Sequence, residues 1–300
     1  MARFWFHKRD HGAFHGEDIV DIWQNRTSTE FNPHLRYDGG RHSPAFVLEG
    51  LMFGDYKTRI VFLGQDLNGR GDGADGSAGR MTGGHVARVT FLGYVEGEGW
   101  RSALTISGLD IPARKLQSLM SNADPYSWDH AIGKLLRSGN DRILLNNMSG
   151  GADGGAGNDT IIGASLNETL EGGRGDDRLI GARGHDRLDG GYGNDVLDPG
   201  PGHNELLGGA GADQFLYRAG DGISNYNSQY DDVIWDFVPG EDKIVFDVVN
   251  AHPSFRRHVA FDGYGEAGVK IELHTLHGHK AIILADVKWE DLGKDDFVFI

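Results

Sequence analysis

The sequence predicts a mainly β protein built around a parallel β-roll, and three features carry that reading. First, a nine-residue phrase recurs: Gly-Gly-Ala-Gly-Asn-Asp-Thr-Ile-Ile at Gly154–Ile162, then Gly172–Ile180, Gly190–Asp198 and Gly208–Leu216. Second, stepping by nine through its eighth position gives Ile143, Ala152, Ile161, Leu170, Leu179, Leu188, Leu197, Leu206 and Phe215, an unbroken apolar period. Third, each phrase divides into a Gly-rich turn and a three-residue segment with an apolar middle, the mark of a short strand with one side chain pointing inward. Two nonapeptides make one 18-residue coil of turn, strand, turn, strand, and stacked coils make a solenoid. A flexible Gly-rich linker has no aliphatic period.

In chain order, residues 1–135 predict a β-rich N-terminal module ending in two short helices. Apolar or alternating runs at Phe4–Phe6, Phe46–Phe53, Arg59–Leu63, Ala87–Leu92 and Ala103–Ile106 read as strands between Gly and Asp clusters. Gln65–Gly79 reads as a long hairpin loop; its acids miss the EF-hand template because Arg70 and Ser77 fall at ligand positions. Asp110 and Pro112 signal a helix over Ile111–Ser121. Asp124 and Pro125 signal a second, with Trp128, Ile132, Leu135 and Leu136 on one face and Gly139 closing it. That helix would cover the open end of the solenoid.

Residues 136–216 form the predicted roll, and its period sorts the turns into two faces. On one face the sixth position is Asp141, Asp159, Asp177, Asp195 and Asp213, and the fourth is Gly139, Gly157, Gly175, Gly193 and Gly211. On the other the sixth position is Gly150, Glu168, Asp186 and Asn204, with Met148 and Leu166 where Gly belongs, so this face looks largely decayed. Carboxylate and carbonyl oxygens are what Ca²⁺ prefers, and glycine lets carbonyls approach an ion closely. The candidate ligands are Asp141, Asp159, Asp177, Asp186, Asp195 and Asp213, with Gly155, Gly157, Gly172, Gly173, Gly175, Gly190, Gly191, Gly193, Gly208, Gly209 and Gly211. The gaps between the five intact Asp predict about four ions on the first face, with Asp231 closing a fifth, and at most about two on the second. Glu168→Ala is accordingly expected to change folding little.

This nonapeptide resembles the calcium-binding repeat of RTX (hemolysin-type) proteins. The resemblance implies several Ca²⁺ ions, each shared between adjacent turns, and export through a type I secretion machinery. Residues 217–300 predict a β-rich C-terminal cap. Within it Asp232–Phe246 resembles the segment that follows the repeats in secreted serralysin-type proteases and bacterial lipases. The tail Trp289–Ile300 ends in Asp-Asp-Phe-Val-Phe-Ile, similar to the uncleaved signal of type I substrates; a last edge strand is the plainer reading, and both can hold.

Composition sets the remaining bounds. A net charge of −15 argues against nucleic acid and anionic membranes as partners. There are no cysteines, hence no disulfides or thiol chemistry. No apolar run approaches the roughly 20 residues of a membrane helix, and the N-terminus lacks the apolar core of a signal peptide. No His precedes a Glu and no Ser sits in G-x-S-x-G, so the zinc-protease and lipase motifs are missing. His7, His11 and His15 stand four apart, but Gly12 and Gly16 weaken a helix there; His274, His277 and His279 make no better metal site. The sequence therefore predicts a secreted, extracellular calcium-binding protein. Its N-terminal module is expected to be a binding or adhesion module, for instance for surface polysaccharide. The alternative is a polysaccharide lyase or epimerase carrying the roll as its folding and secretion module.

Overall fold

The computed structural model describes residues 5–7, 34–38, 45–53, 56–70, 80–95, 99–116, 138–146, 149–218, 231–247, 259–263, 268–275 and 278–300. Two compact units divide the chain, Met1–Met148 and Ser149–Ile300. Among the described residues no helix is long and apolar enough to cross a membrane.

In the first unit the strands are β1 (Trp5–His7), β2 (His34–Asp38), β3 (Ala45–Phe53), β4 (Tyr56–Arg70), β5 (Arg80–Val95), β6 (Gly99–Pro112) and β7 (Arg142–Leu145). From β2 to β7 each strand pairs antiparallel with the next. Every apolar run read as a strand falls in or overlaps one of these. The core is drawn from Phe62, Leu67, Val86, Val89, Ile106, Leu109 and Ile111. The β4–β5 register slips between Leu63 and Gly64. There the strands close so tightly that a Cβ on Gly64 would lie 1.8 Å from the His85 carbonyl oxygen.

Two expectations change here. The loop beginning at Gln65 is strand as far as Arg70, and residues 71–79 lie outside the described residues. The helix expected from Ile111 begins later: β6 runs to Pro112, and only residues 113–116 are helical before the description stops. The physical reason is a two-residue alternation that outweighs the helix-start signal. Leu109, Ile111 and Ala113 are buried while Asp110 and Pro112 are exposed, and Ile111 pairs with Val86. The body of the second expected helix lies outside the described residues.

The second unit continues with β8 (Ser149–Ala156), β9 (Thr160–Ile162), β10 (Glu168–Arg174), β11 (Arg178–Ile180), β12 (Arg187–Tyr192), β13 (Val196–Asp198), β14 (Glu205–Ala210) and β15 (Gln214–Arg218). After these come β16 (Asp232–Ile234), β17 (Lys243–Asp247), β18 (Val259–Gly263), β19 (Gly268–Thr275), β20 (Gly278–Ala285) and β21 (Phe297–Phe299). Even-numbered strands β8 to β16 stack in parallel as one sheet and odd-numbered strands β9 to β17 as a second. Leu170 pairs with Ala152 and Leu188, and Leu179 with Ile161 and Leu197, so each coil lies one 18-residue step from the last. The residues read as inward from Ala152 to Phe215 expose no surface.

Both sheets run on past the repeats. Leu206 pairs with Ile234 and Phe215 with Ile244, and β20 and β21 then stack in parallel on β16 and β17. The antiparallel run β18–β19–β20 completes the even sheet. The core thickens here: Phe215 meets Phe237 at 6.0 Å, Tyr217 meets Phe246 at 6.4 Å, and Phe246 stacks on Phe299 at 5.1 Å between ring centroids. The tail is thus a last edge strand, with Ile300 N–H donating to the Phe246 carbonyl at 3.0 Å.

Candidate metal centre

The turns between strands form two ladders, one on each face. On the first, Asp159 N–H donates to Asp177 Oδ1 (2.7 Å), Asp177 N–H to Asp195 Oδ1 (2.7 Å), and Asp195 N–H to Asp213 Oδ1 (2.8 Å). Asp213 N–H donates to Asp242 Oδ1 at 2.9 Å, so Asp242 takes the place expected for Asp231. Asp231 instead sets its carbonyl against His203 Nδ1 and pairs with Lys270 at 3.5 Å. On the second face Glu168 N–H donates to Asp186 Oδ1, Asp186 N–H to Asn204 Oδ1, and Asn204 N–H to Asp232 Oδ1, each at 2.9 Å. The face that looks decayed in sequence keeps an unbroken ladder. Glu168 bends back on its own turn, accepting from Ala164 N–H (3.3 Å) and Leu166 N–H (3.2 Å). Asp141 is buried just ahead of β7, in the first unit.

Glycine positions decide how closely the turns stack. Gly173 and Gly175 have φ of +105° and +121°, and a Cβ on Gly175 would fall 2.2 Å from the Gly157 carbonyl oxygen. Gly155, Gly157, Gly191, Gly193, Gly209 and Gly211 repeat the same left-handed pair in their own turns. On the second face Ala182 is held at φ +73°.

The first residue of each turn lines a cradle. A Cβ on Gly172 would lie 2.5 Å from Asp177 Oδ2 and 2.6 Å from the carbonyl oxygen of Gly190 in the following turn. Gly190 stands in the same relation to Asp195 Oδ2 (2.4 Å) and the Gly208 carbonyl (2.6 Å), and Gly154 to Asp159 Oδ2 (2.4 Å) and the Gly172 carbonyl (2.8 Å). On the second face Gly181 faces Asp186 Oδ2 and the Pro199 carbonyl, both at 2.7 Å, and Gly163 faces the Gly181 carbonyl at 2.4 Å with Glu168 Oε2 at 3.2 Å. Gly154 and Gly181 are absent from the ligand set read from the sequence, although both open a nonapeptide.

Electrostatics point the same way. Oδ2 of Asp177, Asp195 and Asp213 is buried with no hydrogen-bond partner. Burial pushes their carboxyl groups up to about 7, 6 and 7, with neighbouring carboxylates adding to the rise and one backbone N–H each working against it. Glu168 rises to about 8, chiefly through burial and then the charge of Asp186. A column of enclosed carboxylates, with those of Asp159, Asp177 and Asp195 beside a carbonyl of the next turn, fits a hard divalent cation with oxygen ligands. Asp159, Asp177, Asp195 and Asp186 would lend charge to such an ion, and the turn carbonyls would complete its shell. A cation held there would supply the positive charge that lets these carboxylates stay ionised in the fold.

Comparison with known proteins agrees with this chemistry. The pattern of the RTX calcium-binding nonapeptide repeat, in four copies, matches residues 152–167, 162–197 and 190–223. No curated protein matches the chain. Among solved structures, the AlgE6R3 subunit of the Azotobacter vinelandii mannuronan C5-epimerase is similar at 28% identity, over 46% of this chain and 81% of that one, with a TM-score of 0.35. The extracellular lipase LipA from Serratia marcescens is similar at 15% identity, over 51% of this chain and 42% of that one, with a TM-score of 0.24. Residues 152–223 therefore belong to the RTX calcium-binding nonapeptide repeats, and the chain carries a calcium-binding parallel β-roll.

Proposed function

We propose that this is a secreted protein whose roll folds when it meets extracellular calcium, after the chain has passed unfolded through a type I exporter. The observation that carries the reading is the repeated cradle, in which a buried Asp Oδ2 without a hydrogen-bond partner lies beside a carbonyl of the next turn, as at Asp177 and Asp195. Magnitudes support it. Burying one Leu per nonapeptide stabilises by about 1.5–3 kcal/mol, whereas ordering each backbone residue costs about 1–2 kcal/mol. The repeats need a further source of stability. An ion that binds only the folded state adds about 2.7 kcal/mol per site at 100 times its dissociation constant. Extracellular calcium modules bind at roughly 10⁻⁴–10⁻³ M, so the same sites stay empty in a calcium-poor cytosol.

The first unit then serves as the binding or adhesion module, with surface polysaccharide as its ligand class, and the C-terminal strands carry the export signal. A second reading, a polysaccharide lyase or epimerase, rests on one observation. His85 Nδ1 and Asp110 Oδ1 lie 2.5 Å apart on exposed side chains of the bulged β5–β6 pair, the kind of pairing used for proton transfer. Circular dichroism during a calcium titration tests the main reading: strand signal should rise cooperatively with calcium, and a roll fully formed in excess chelator sinks it. Turnover of acidic polysaccharides that is lost in His85→Ala would favour the enzyme.

A further inference from the structure

The even sheet of the roll presents its outer face as ordered rows. Leu170, Leu188 and Leu206 point inward, so Glu171, Asp189 and Leu207 beside them point outward. Strand register aligns Asp153 with Glu171, Glu171 with Asp189, and Asp189 with Leu207. Trp235 ends this row: Ile234 pairs with Leu206, and Trp235 N–H donates to the Leu206 carbonyl at 3.0 Å. Adjacent strands lie about 4.8 Å apart, so a line of carboxylates runs toward an indole ring.

A second aromatic stands beside the row. Tyr192 pairs with Arg174 on one side and Ala210 on the other, and the Arg174 guanidinium lies 5.8 Å from its ring centroid. Tyr192 is 66% exposed and Trp235 50%. Two large ring faces left open to water on one sheet mark a contact surface.

Charge indicates what fits there. Arg187 is shared between Asp189 and Glu205, each at 3.6 Å. Asp153 and Glu171 add two more carboxylates, against Arg174 as the one further cation of these rows. Burial pushes the Asp189 carboxyl up; Arg187 works against the rise and the charge of Asp236 adds to it. A ligand bearing positive charge would relieve this crowding, and an acidic one would worsen it.

We propose that this face of the roll binds a glycan carrying free amines, with Trp235 and Tyr192 stacking on sugar rings and Glu171 and Asp189 receiving the ammonium groups. The apolar C–H face of a hexose can lie flat on an aromatic ring, and an ammonium over a Trp or Tyr face gains a cation–π attraction. Two strand spacings separate the strands of Trp235 and Tyr192, roughly 10 Å across the sheet, a reach that a short oligosaccharide covers. The site lies wholly within the second unit and is distinct from the ligand proposed for the first; it requires only that the roll be folded.

Calorimetry of the full chain in saturating calcium, titrated with a chitosan oligosaccharide at a pH where its amines are charged, tests the site. Affinity should fall roughly 2- to 10-fold in Tyr192→Ala and in Trp235→Ala, and should fall also in Asp189→Asn. The N-acetylated oligosaccharide keeps the rings and loses the charge, so it should bind more weakly, and salt should narrow the difference. Circular dichroism in calcium checks that each variant keeps the roll, and Tyr192→Ala, at the most exposed of these positions, removes little packed surface. Affinity undiminished in both aromatic variants, or an acetylated chain or an oligouronate bound as tightly as the amine form, would overturn the site. So would a wild-type chain that binds no amine-bearing oligosaccharide while its strand signal still rises with calcium, which leaves the calcium reading of the roll intact.

Discussion

Asp177 N–H donates to Oδ1 of Asp195 at 2.7 Å, while Oδ2 of Asp195 turns away toward Gly190 and the Gly208 carbonyl. One oxygen thus ties the carboxylate to the turn before it and the other faces the turn after it. This arrangement links each turn of the first face to the turns on either side.

Asp177→Ala removes both functions at once. It strips the acceptor from Asp159 N–H and the ligand oxygen beside the Gly190 carbonyl. A buried N–H left unpaired costs about 1–3 kcal/mol. Calcium stoichiometry should fall, and the midpoint of calcium-induced folding should move to higher calcium. Asp177→Asn keeps the amide acceptor and should lose affinity with less damage to the fold. Calorimetry beside circular dichroism reads both quantities, and equal behaviour of the two variants would show that Oδ1 has no structural role.

Glu168 is more consequential than its place on the weaker face suggests. It is buried and accepts two N–H groups of its own turn. Glu168→Ala is therefore predicted to destabilise the calcium-loaded protein by about 1–3 kcal/mol, against the expectation from sequence that it changes little. Glu168→Gln retains one acceptor and should lose less. Chemical denaturation in saturating calcium decides the point.

Acid should partly replace calcium. In the fold, burial lifts the carboxyl groups of Asp177, Asp195 and Asp213 to about 7, 6 and 7, above the ordinary aspartate value of 3.8. A raised folded pKa means that the fold binds protons more tightly than the unfolded chain. Its contribution is complete below about pH 4 and disappears as pH climbs through about 6–7. In chelator, strand signal should grow on acidification from neutral pH toward 4, and calcium affinity should weaken over the same range. A signal that stays flat or declines across that interval contradicts the assignment.

Ala182 pays a conformational penalty that Gly173 and Gly191 avoid, since it is held at φ +73°. Ala182→Gly should stabilise the calcium-loaded roll by up to about 1 kcal/mol, the relief of strain being partly offset by the freer unfolded chain. A denaturation midpoint that falls in this variant would show that the turn relaxes differently.

Deleting Trp289–Ile300 should alter folding as well as any export signal, because the segment builds the end of the roll. Asp296 is buried, accepting Gly240 N–H (2.8 Å) and Gly293 N–H (2.7 Å), and β21 pairs with β17. Asp296→Ala isolates the fold: it should lower stability in calcium by about 1–3 kcal/mol and leave secretion through a type I exporter unchanged. The deletion should abolish secretion. Secretion lost equally in both variants would mean that export responds to stability rather than to a signal.

Within the repeats, the sequence by itself determined which residues point inward and which turns share a face. A period of nine names the inward residue of each strand from Ala152 to Phe215, and doubling it assigns Asp159 and Asp186 to opposite faces, because two nonapeptides close one coil. That inference is local and repeats itself, so chance errors do not accumulate. What lies outside the period was decided by tertiary structure. The stretch from 219 to 230 breaks the count, so Asp242 rather than Asp231 continues the first ladder and Asp232 ends the second. The copies Asp232-Val-Ile and Asp242-Lys-Ile carried a signal, but only strand pairing fixes their register. At Ile111, a capping signal lost to pairing with Val86, since burying alternate side chains outweighs a helix start of about 1 kcal/mol. Glu168 holds its turn although it departs from the repeat, because its extra methylene lets the carboxylate reach two N–H groups that a shorter Asp would meet differently. Spacing reveals which residues can share a face; only the packed chain shows which oxygen each N–H takes.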